Sequence, residues 1–310
     1  MSARRFVLAL DQGTTGSTAL VIDPDGGVRA RGYAELPQHY PQPGWVEHDP
    51  VQIWATTVQA LGRAVASSGI TPPEIAAVGI TNQRETTILW ERASGRPVGN
   101  AIVWQCRRTA ALCDRLKADG AEPEIRRKTG LVVDAYFSGT KIRWMLDHHP
   151  ALRPRAERGE LCFGTVDAWL LWQLTGGAVH ATDPSNASRT LCYDIHRRAW
   201  DEGLCRILGV PMALLPEVKP SAGVFGETAA GRGAVWVANS GDATVSRIDS
   251  ATNRVTETVT VGEGPNGVAL DTDGNVWVSS ELAGTLEKVD PASAKVVDEV
   301  KVGEIGRAHV

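Results

Sequence analysis

Four short runs of residues have the types and the spacing to do chemistry. The first is Leu10-Asp11-Gln12-Gly13-Thr14-Thr15-Gly16-Ser17, set between two apolar stretches. Gly13 and Gly16 permit a tight backbone bend whose N–H groups converge on a phosphate, and Thr14, Thr15 and Ser17 add hydroxyl donors. Asp11 is placed to organise a magnesium ion, which keeps several of its waters and needs few protein ligands. No Gly-Lys-Ser/Thr follows, so this is not a Walker loop, and a polar hairpin turn accounts for the same residues equally well. The second run, Gly79 onward to Thr87, sets Arg84 beside Glu85 at a strand end. Such a pair suits a polyol, with the carboxylate accepting from vicinal hydroxyls while the guanidinium donates; the plainer alternative is a surface ion pair. The third run carries Trp104, whose indole would cover the carbon skeleton of a small polyol, although a tryptophan after apolar residues usually belongs to a core. The fourth carries Tyr136, which offers a phenol to a hydroxyl or packs at the start of a helix.

The elements that must position these runs are short. Residues 6–10 and 18–22 read as strands, and Asp25-Gly26-Gly27 as a hairpin turn into 28–36. Asp49-Pro50 supplies an N-cap and a first-position proline for a helix to about residue 67. Residues 75–81 form a buried strand and 86–90 another, with helices over 107–117, 141–147 and 167–174. The mixture defines an α/β domain with helices covering a sheet.

After about residue 230 the texture changes to β-branched runs separated by Gly, Asn and Asp. Val235-Trp236-Val237 recurs 41 residues later as Val276-Trp277-Val278, Val245 to Asp249 recurs as Leu286 to Asp290, and Val259 to Gly262 as Val300 to Gly303. A period of that size with about four short strands per unit resembles β-propeller blades of the YVTN or NHL-like kind, and about two units are present. Repeats gain stability from neighbours, so two lone blades leave exposed edges. The expected organisation is therefore an α/β domain over 1–230, repeats over 231–303 and a tail over 304–310. That tail (EIGRAHV) abandons the repeat, and one codon choice for it reads as common sequencing-adapter DNA.

Composition excludes several classes. The net charge of −4 offers no basic field for a nucleic acid. Five cysteines, odd in number and without a Cys-x-x-Cys pair, argue against a disulfide framework or zinc site and fit a reducing cytoplasm. Asp11 ends the first apolar run too early for a secretory signal, and no stretch approaches a membrane span.

Taken in order, LALDQGTTGS, PGWVEHDP, GITNQRETT, NAIVWQCRRTA, TGLVVDAYFSGTK and GELCFGTVDAWLLW resemble the FGGY family of carbohydrate kinases, and within it the glycerol kinases. The resemblance continues through Asn186-Ala187-Ser188-Arg189-Thr190 to Gly226-Glu227-Thr228. It implies an actin/hexokinase-like (ribonuclease H-like) fold and ATP-dependent phosphorylation of glycerol to sn-glycerol 3-phosphate with Mg2+. It further implies that Arg84, Glu85 and Tyr136 hydrogen-bond glycerol against Trp104, that the Gly13–Ser17 loop meets ATP phosphates through Thr14 and Thr15, and that Asp11 organises magnesium. Family members can oligomerise; no membrane or nucleic-acid partner is implied. Two departures are Gly16, where the family often has serine, and Thr18, where many members have arginine. The family's general base is an aspartate in a Gly-Asp-Gln motif beyond the matching stretch. Ser240-Gly241-Asp242-Ala243 lacks the glutamine and sits in the repeat, so Asp242 reads as a turn residue and no catalytic base is assigned. Without a base this chain is expected to turn over little glycerol. The competing expectation is a chimera of two joined reading frames, its repeats serving as a protein-binding module or having no function.

Overall fold

Alternating apolar residues at the N-terminus build the sheet that carries the site. In this computed structural model residues 5–229, 234–239, 241–249, 254–270, 275–291 and 293–302 are described. They fall into two units, Met1–Thr228 and Ala229–Val310. Strand β1 (Phe6–Gln12) buries Phe6, Leu8 and Leu10 on one face and exposes Val7 and Asp11 on the other. It pairs antiparallel with β2 (Gly16–Ile22), which pairs with β3 (Val28–Glu35). A two-residue strand, β4 (Glu47–His48), leads into α1 (Pro50–Ser68). That helix begins where the Asp49 carboxylate accepts from the Val51 N–H at 2.8 Å, and it ends at Gly69, left-handed with φ 71°. Ile53, Thr57, Ala60 and Ala64 form its buried stripe. These mostly small side chains let the helix approach closely: a Cβ on Gly32 would lie 2.0 Å from the Ala60 carbonyl oxygen.

Strand β5 (Ile75–Asn82) returns parallel to β1 and completes the order β3-β2-β1-β5. It is not the buried strand expected from its apolar run. Its residues alternate between half-buried and exposed, because β1 is its one neighbour among the described residues. An apolar run does not reveal whether a strand has one neighbour or two.

Strands β6 (Ile88–Glu91) and β7 (Ala101–Ile102) precede α2 (Ala110–Ala118), α3 (Glu122–Thr129), α4 (Ser138–His148) and α5 (Leu152–Glu157). Then β8 (Leu161–Gly164) pairs with β6, and α6 (Val166–Leu174) buries residues on every side. Trp90 of β6 is the hub, with Trp169 at 5.3 Å, Trp172 at 5.8 Å and His180 at 5.3 Å between ring centroids. Helix α2 starts three residues later than expected, after Arg107 pairs with Asp134 and Arg108 with Glu47. Arg108 is held between Trp45 at 3.9 Å and Trp144 at 4.8 Å.

The second unit is antiparallel β. Strands Ala234–Asn239, Thr244–Asp249 and Arg254–Thr260 form one sheet, and Pro265–Leu270, Val276–Ser280, Thr285–Asp290 and Lys295–Lys301 another. Thr244–Asp249 and Arg254–Thr260 recur 41 residues later as Thr285–Asp290 and Lys295–Lys301. The tail, and the junction residues 230–233, lie outside the described residues.

Candidate functional site

Residues 11–17 fold as a hairpin between β1 and β2. Gln12 faces Ser17 across the pair, and the Gly13 N–H donates to the Gly16 carbonyl at 2.9 Å. Neither glycine adopts a left-handed φ, which corrects the conformational reason given for them. Gly16 is required for space, and a Cβ on Gly13 would lie 3.2 Å from the Gly16 carbonyl oxygen, a tight contact. A Cβ on Gly16 would sit 2.6 Å from both the Ala34 carbonyl oxygen and the Tyr33 hydroxyl. Tyr33 and the β3 backbone fill the room that a side chain at this position would need. At the tip, the Thr14 and Thr15 amides have no backbone partner among the described residues and remain available to an anion. The Ser17 hydroxyl is buried instead, 3.2 Å from Thr56 Oγ1 and 3.4 Å from Thr57 Oγ1 on α1. Of the three hydroxyls expected to serve a phosphate, geometry leaves Thr14 and Thr15 at the tip.

Asp11 is exposed, opposite Thr18 on β2 and Thr81 on β5. One open carboxylate beside this hairpin suits an ion that takes most of its ligands from water. Among the described residues no group of three or more His, Cys, Asp or Glu side chains could hold a metal by itself.

Glu85, Trp104 and Tyr136, the residues expected to face a polyol, come together from distant parts of the chain. Glu85 lies just past β5 in a left-handed conformation, φ 63°, and is 2% exposed. Its carbonyl accepts from Ser138 Oγ at 3.0 Å, Thr87 Oγ1 at 3.2 Å and Lys141 Nζ at 3.3 Å. Its carboxylate Oε1 accepts from Arg189 Nε at 2.6 Å, and Oε2 has no protein partner among the described residues. This corrects the adjacent-pair picture: Arg84 is exposed without an ion pair among those residues, and Glu85 is neutralised from 104 positions away. The Arg189 guanidinium also lies 4.9 Å from the Phe137 ring centroid and 5.8 Å from that of Tyr136. Trp104 and Tyr136 are half-buried and meet edge-on at 5.4 Å, so neither is an ordinary core aromatic. Asp134 sets Tyr136 by accepting its N–H at 2.8 Å. Burial pushes the Asp134 carboxyl up, but Arg107 and that amide outweigh it and hold it below its usual range.

A buried network joins the two groups. Gln83 Nε2 donates to Gln12 Oε1 at 3.1 Å and to the Gly13 carbonyl at 3.3 Å, and lies 3.3 Å from His48 Nδ1. Gln83 Oε1 accepts from Thr86 Oγ1 at 2.9 Å, and Thr86 Oγ1 accepts from the Trp104 N–H at 3.3 Å. The ring closes where the Trp104 indole N–H donates to Thr14 Oγ1 at 2.9 Å. Burial pushes the His48 ring down to about 4, so it is neutral under the loop, with the nearby His39 adding to the shift. Gln83, Lys141 and Arg189 escaped the sequence reading. Arg189 lay in a run that carried the resemblance, but nothing in the sequence set it against Glu85.

Asp242 occupies the turn between Ala234–Asn239 and Thr244–Asp249, its N–H donating to the Asn239 carbonyl at 3.1 Å and Ala243 following at φ 49°. All five cysteines are buried and unpaired, and among the described residues no helix is long and apolar enough to cross a membrane.

Residues 6–242 match the FGGY family of carbohydrate kinases, N-terminal domain, and the chain belongs to that family. Glycerol kinase of Carboxydothermus hydrogenoformans is 59% identical over 225 residues, covering 73% of this chain and 45% of that one. Glycerol kinase of Bradyrhizobium diazoefficiens is 60% identical over 223 residues, covering 72% of this chain and 45% of the other. The chain thus spans about half the length of the curated relatives it matches. The crystal structure of Plasmodium falciparum glycerol kinase with ADP superposes with a TM-score of 0.68 at 29% identity, covering 85% of this chain and 49% of that one. A xylulose kinase from Rhodospirillum rubrum, at 22% identity and a TM-score of 0.66 over 73% of this chain and 45% of its own, shares the fold. The first unit has the actin/hexokinase-like (ribonuclease H-like) architecture of these kinases.

Proposed function

We propose that the first unit is the glycerol- and phosphate-binding half of a cytoplasmic, ATP-dependent glycerol kinase that forms sn-glycerol 3-phosphate. The observation that carries this reading is the Trp104–Thr14 hydrogen bond of 2.9 Å, which sets the phosphate-loop tip against the polyol wall. Phosphoryl transfer relies on positioning and on charge stabilisation, so a loop and a polyol wall held in contact supply what the reaction needs from this half. Glycerol carbons rest on Trp104, while Glu85 Oε2, Arg84 and the Tyr136 phenol take its hydroxyls. The Arg189 guanidinium pairs with the buried Glu85 carboxylate and offsets the cost of enclosing it. The Thr14 and Thr15 amides and hydroxyls face the phosphates of ATP, with Gly13, Gly16 and Ser17 shaping the loop beneath them. When bound, Mg2+ would neutralise phosphate charge, and Asp11 would hold it through water. Asp242 is read as a turn residue. Titration calorimetry on the 310-residue chain tests this: glycerol should bind, xylulose should not, and Glu85→Gln and Trp104→Ala should each abolish the heat. Equal binding of both polyols, or none of glycerol, overturns it.

Residues 231–303 are read as two β-propeller-like units after an α/β domain over 1–230, with 304–310 a tail. The 41-residue recurrence of successive strands supports this. The second repeat shows four strands and the first repeat three among the described residues.

A further inference from the structure

Lys141 is fully buried in the first turns of α4, yet pairs with no carboxylate among the described residues. A buried ammonium without a counter-charge is costly, so its contacts are informative. Its Nζ donates to two backbone carbonyls, that of Tyr136 and that of Glu85 at 3.3 Å. Both belong to residues of the polyol site, on segments 51 positions apart in sequence. The Glu85 carbonyl is also the one that Ser138 Oγ and Thr87 Oγ1 reach, and Glu85 is left-handed without being glycine. Such a backbone persists only where its surroundings over-determine it. Burial pushes the Lys141 amine down to about 7, opposed by the nearby Glu85, Cys106, Cys113 and Asp134.

We propose that Lys141 is a positioning residue, a clamp that fixes the Glu85 and Tyr136 backbones relative to each other so that carboxylate and phenol meet one ligand. This rests on the reading of Glu85 and Tyr136 as glycerol-binding residues. A lysine kept merely to fill the core would make its contacts with that core. The two bonds of Lys141 land instead on the two segments that carry the site.

The test uses the 310-residue chain with Lys141→Met, which keeps the aliphatic stem and removes the donors. Hydrogen exchange should accelerate at the Thr86 and Thr87 amides, which donate to the Arg84 and Ile102 carbonyls at 2.8 and 2.9 Å, and little elsewhere. Glycerol affinity by calorimetry should fall about tenfold, the order of one lost hydrogen bond. Ethylamine added to Lys141→Ala should restore both readouts, which a packing defect would not allow. A folded Lys141→Met with unchanged exchange and affinity overturns the clamp, and so does acceleration spread along the whole of α4. Should the wild-type chain take no glycerol, the polyol reading fails, and exchange with amine rescue still decides the clamp. Should Lys141→Met fail to fold, Ser138→Ala removes one donor from the same carbonyl; faster exchange at Thr86 and Thr87 supports the clamp, and an unchanged rate overturns it.

Discussion

The first unit buries tryptophans, and the second buries valines. Trp90 and Trp169 are fully enclosed in the first, within one of three apolar clusters. The core of the second is Val245, Val259, Val261, Val276, Val278 and Val289, and its last strand, Lys295–Lys301, is exposed along its length. An enclosed tryptophan removes more apolar area from water than a valine does, so Trp90 and Trp169 each contribute more than any one valine of the second core. The difference teaches where a site can be built. A strained backbone such as that of Glu85 and a buried pair such as Glu85–Arg189 need a rigid frame around them. In the second unit the comparable buried carboxylate, Glu287, is taken up by its own strands. It accepts from the Gly262 N–H at 2.7 Å, Ser280 Oγ at 2.7 Å and Thr285 Oγ1 at 2.8 Å.

The contrast breaks most visibly at Trp90. Trp90→Ala is expected to destabilise the first unit by about 3–5 kcal/mol in urea unfolding, as large aromatic truncations do. Arg189→Met leaves the buried Glu85 charge uncompensated, and should cost about 2–3 kcal/mol and weaken glycerol binding. Arg189 is 27% exposed, so the loss stays below that for a fully enclosed pair. Val278→Ala should cost about 2 kcal/mol in the second unit alone and leave glycerol affinity unchanged. An equal loss at Trp90 and Val278 would remove the distinction between the two cores.

The pH dependence sharpens the same point. Burial holds His48 and His180 near 4 in the folded chain, against 6.5 for the free side chain. Between those values the unfolded chain binds more protons, so stability rises with pH, by up to about 1.4 kcal/mol per pH unit for each proton. Asp167, pushed up to about 6 by burial from 3.8, acts in the opposite sense between those values, since there the folded chain holds the proton. Guanidinium midpoints should therefore climb from pH 4 to 6.5, most cleanly between 6 and 6.5, and His180→Phe should flatten the climb. A midpoint independent of pH over that range would contradict the burial of both rings.

Much of the frame was legible because its signals are local. Asp49-Pro50 marked the start of α1 and the hairpin at Asp25-Gly26-Gly27 the entry to β3, since caps and turns depend on adjacent residues. The Asp11–Ser17 hairpin was found at its place between β1 and β2, but the reasons for its glycines were not. Gly16 is explained by Tyr33 and Ala34, which come to it only through strand pairing. Residues 75–81 looked buried because apolarity does not count neighbours, and their strand has β1 as its one neighbour among the described residues.

By itself the sequence determined the family, the two textures of the chain, the 41-residue recurrence and the residue types of the site. Those follow from order and spacing, which short-range stereochemistry and resemblance can read. Only the tertiary structure decided that Glu85 pairs with Arg189 rather than Arg84, that Ser17 turns inward to α1, and that Trp104 reaches Thr14. Such contacts form between segments as many as 104 positions apart. Their geometry is fixed by packing of the whole unit, where burial makes each charge and donor find a partner that local sequence does not name.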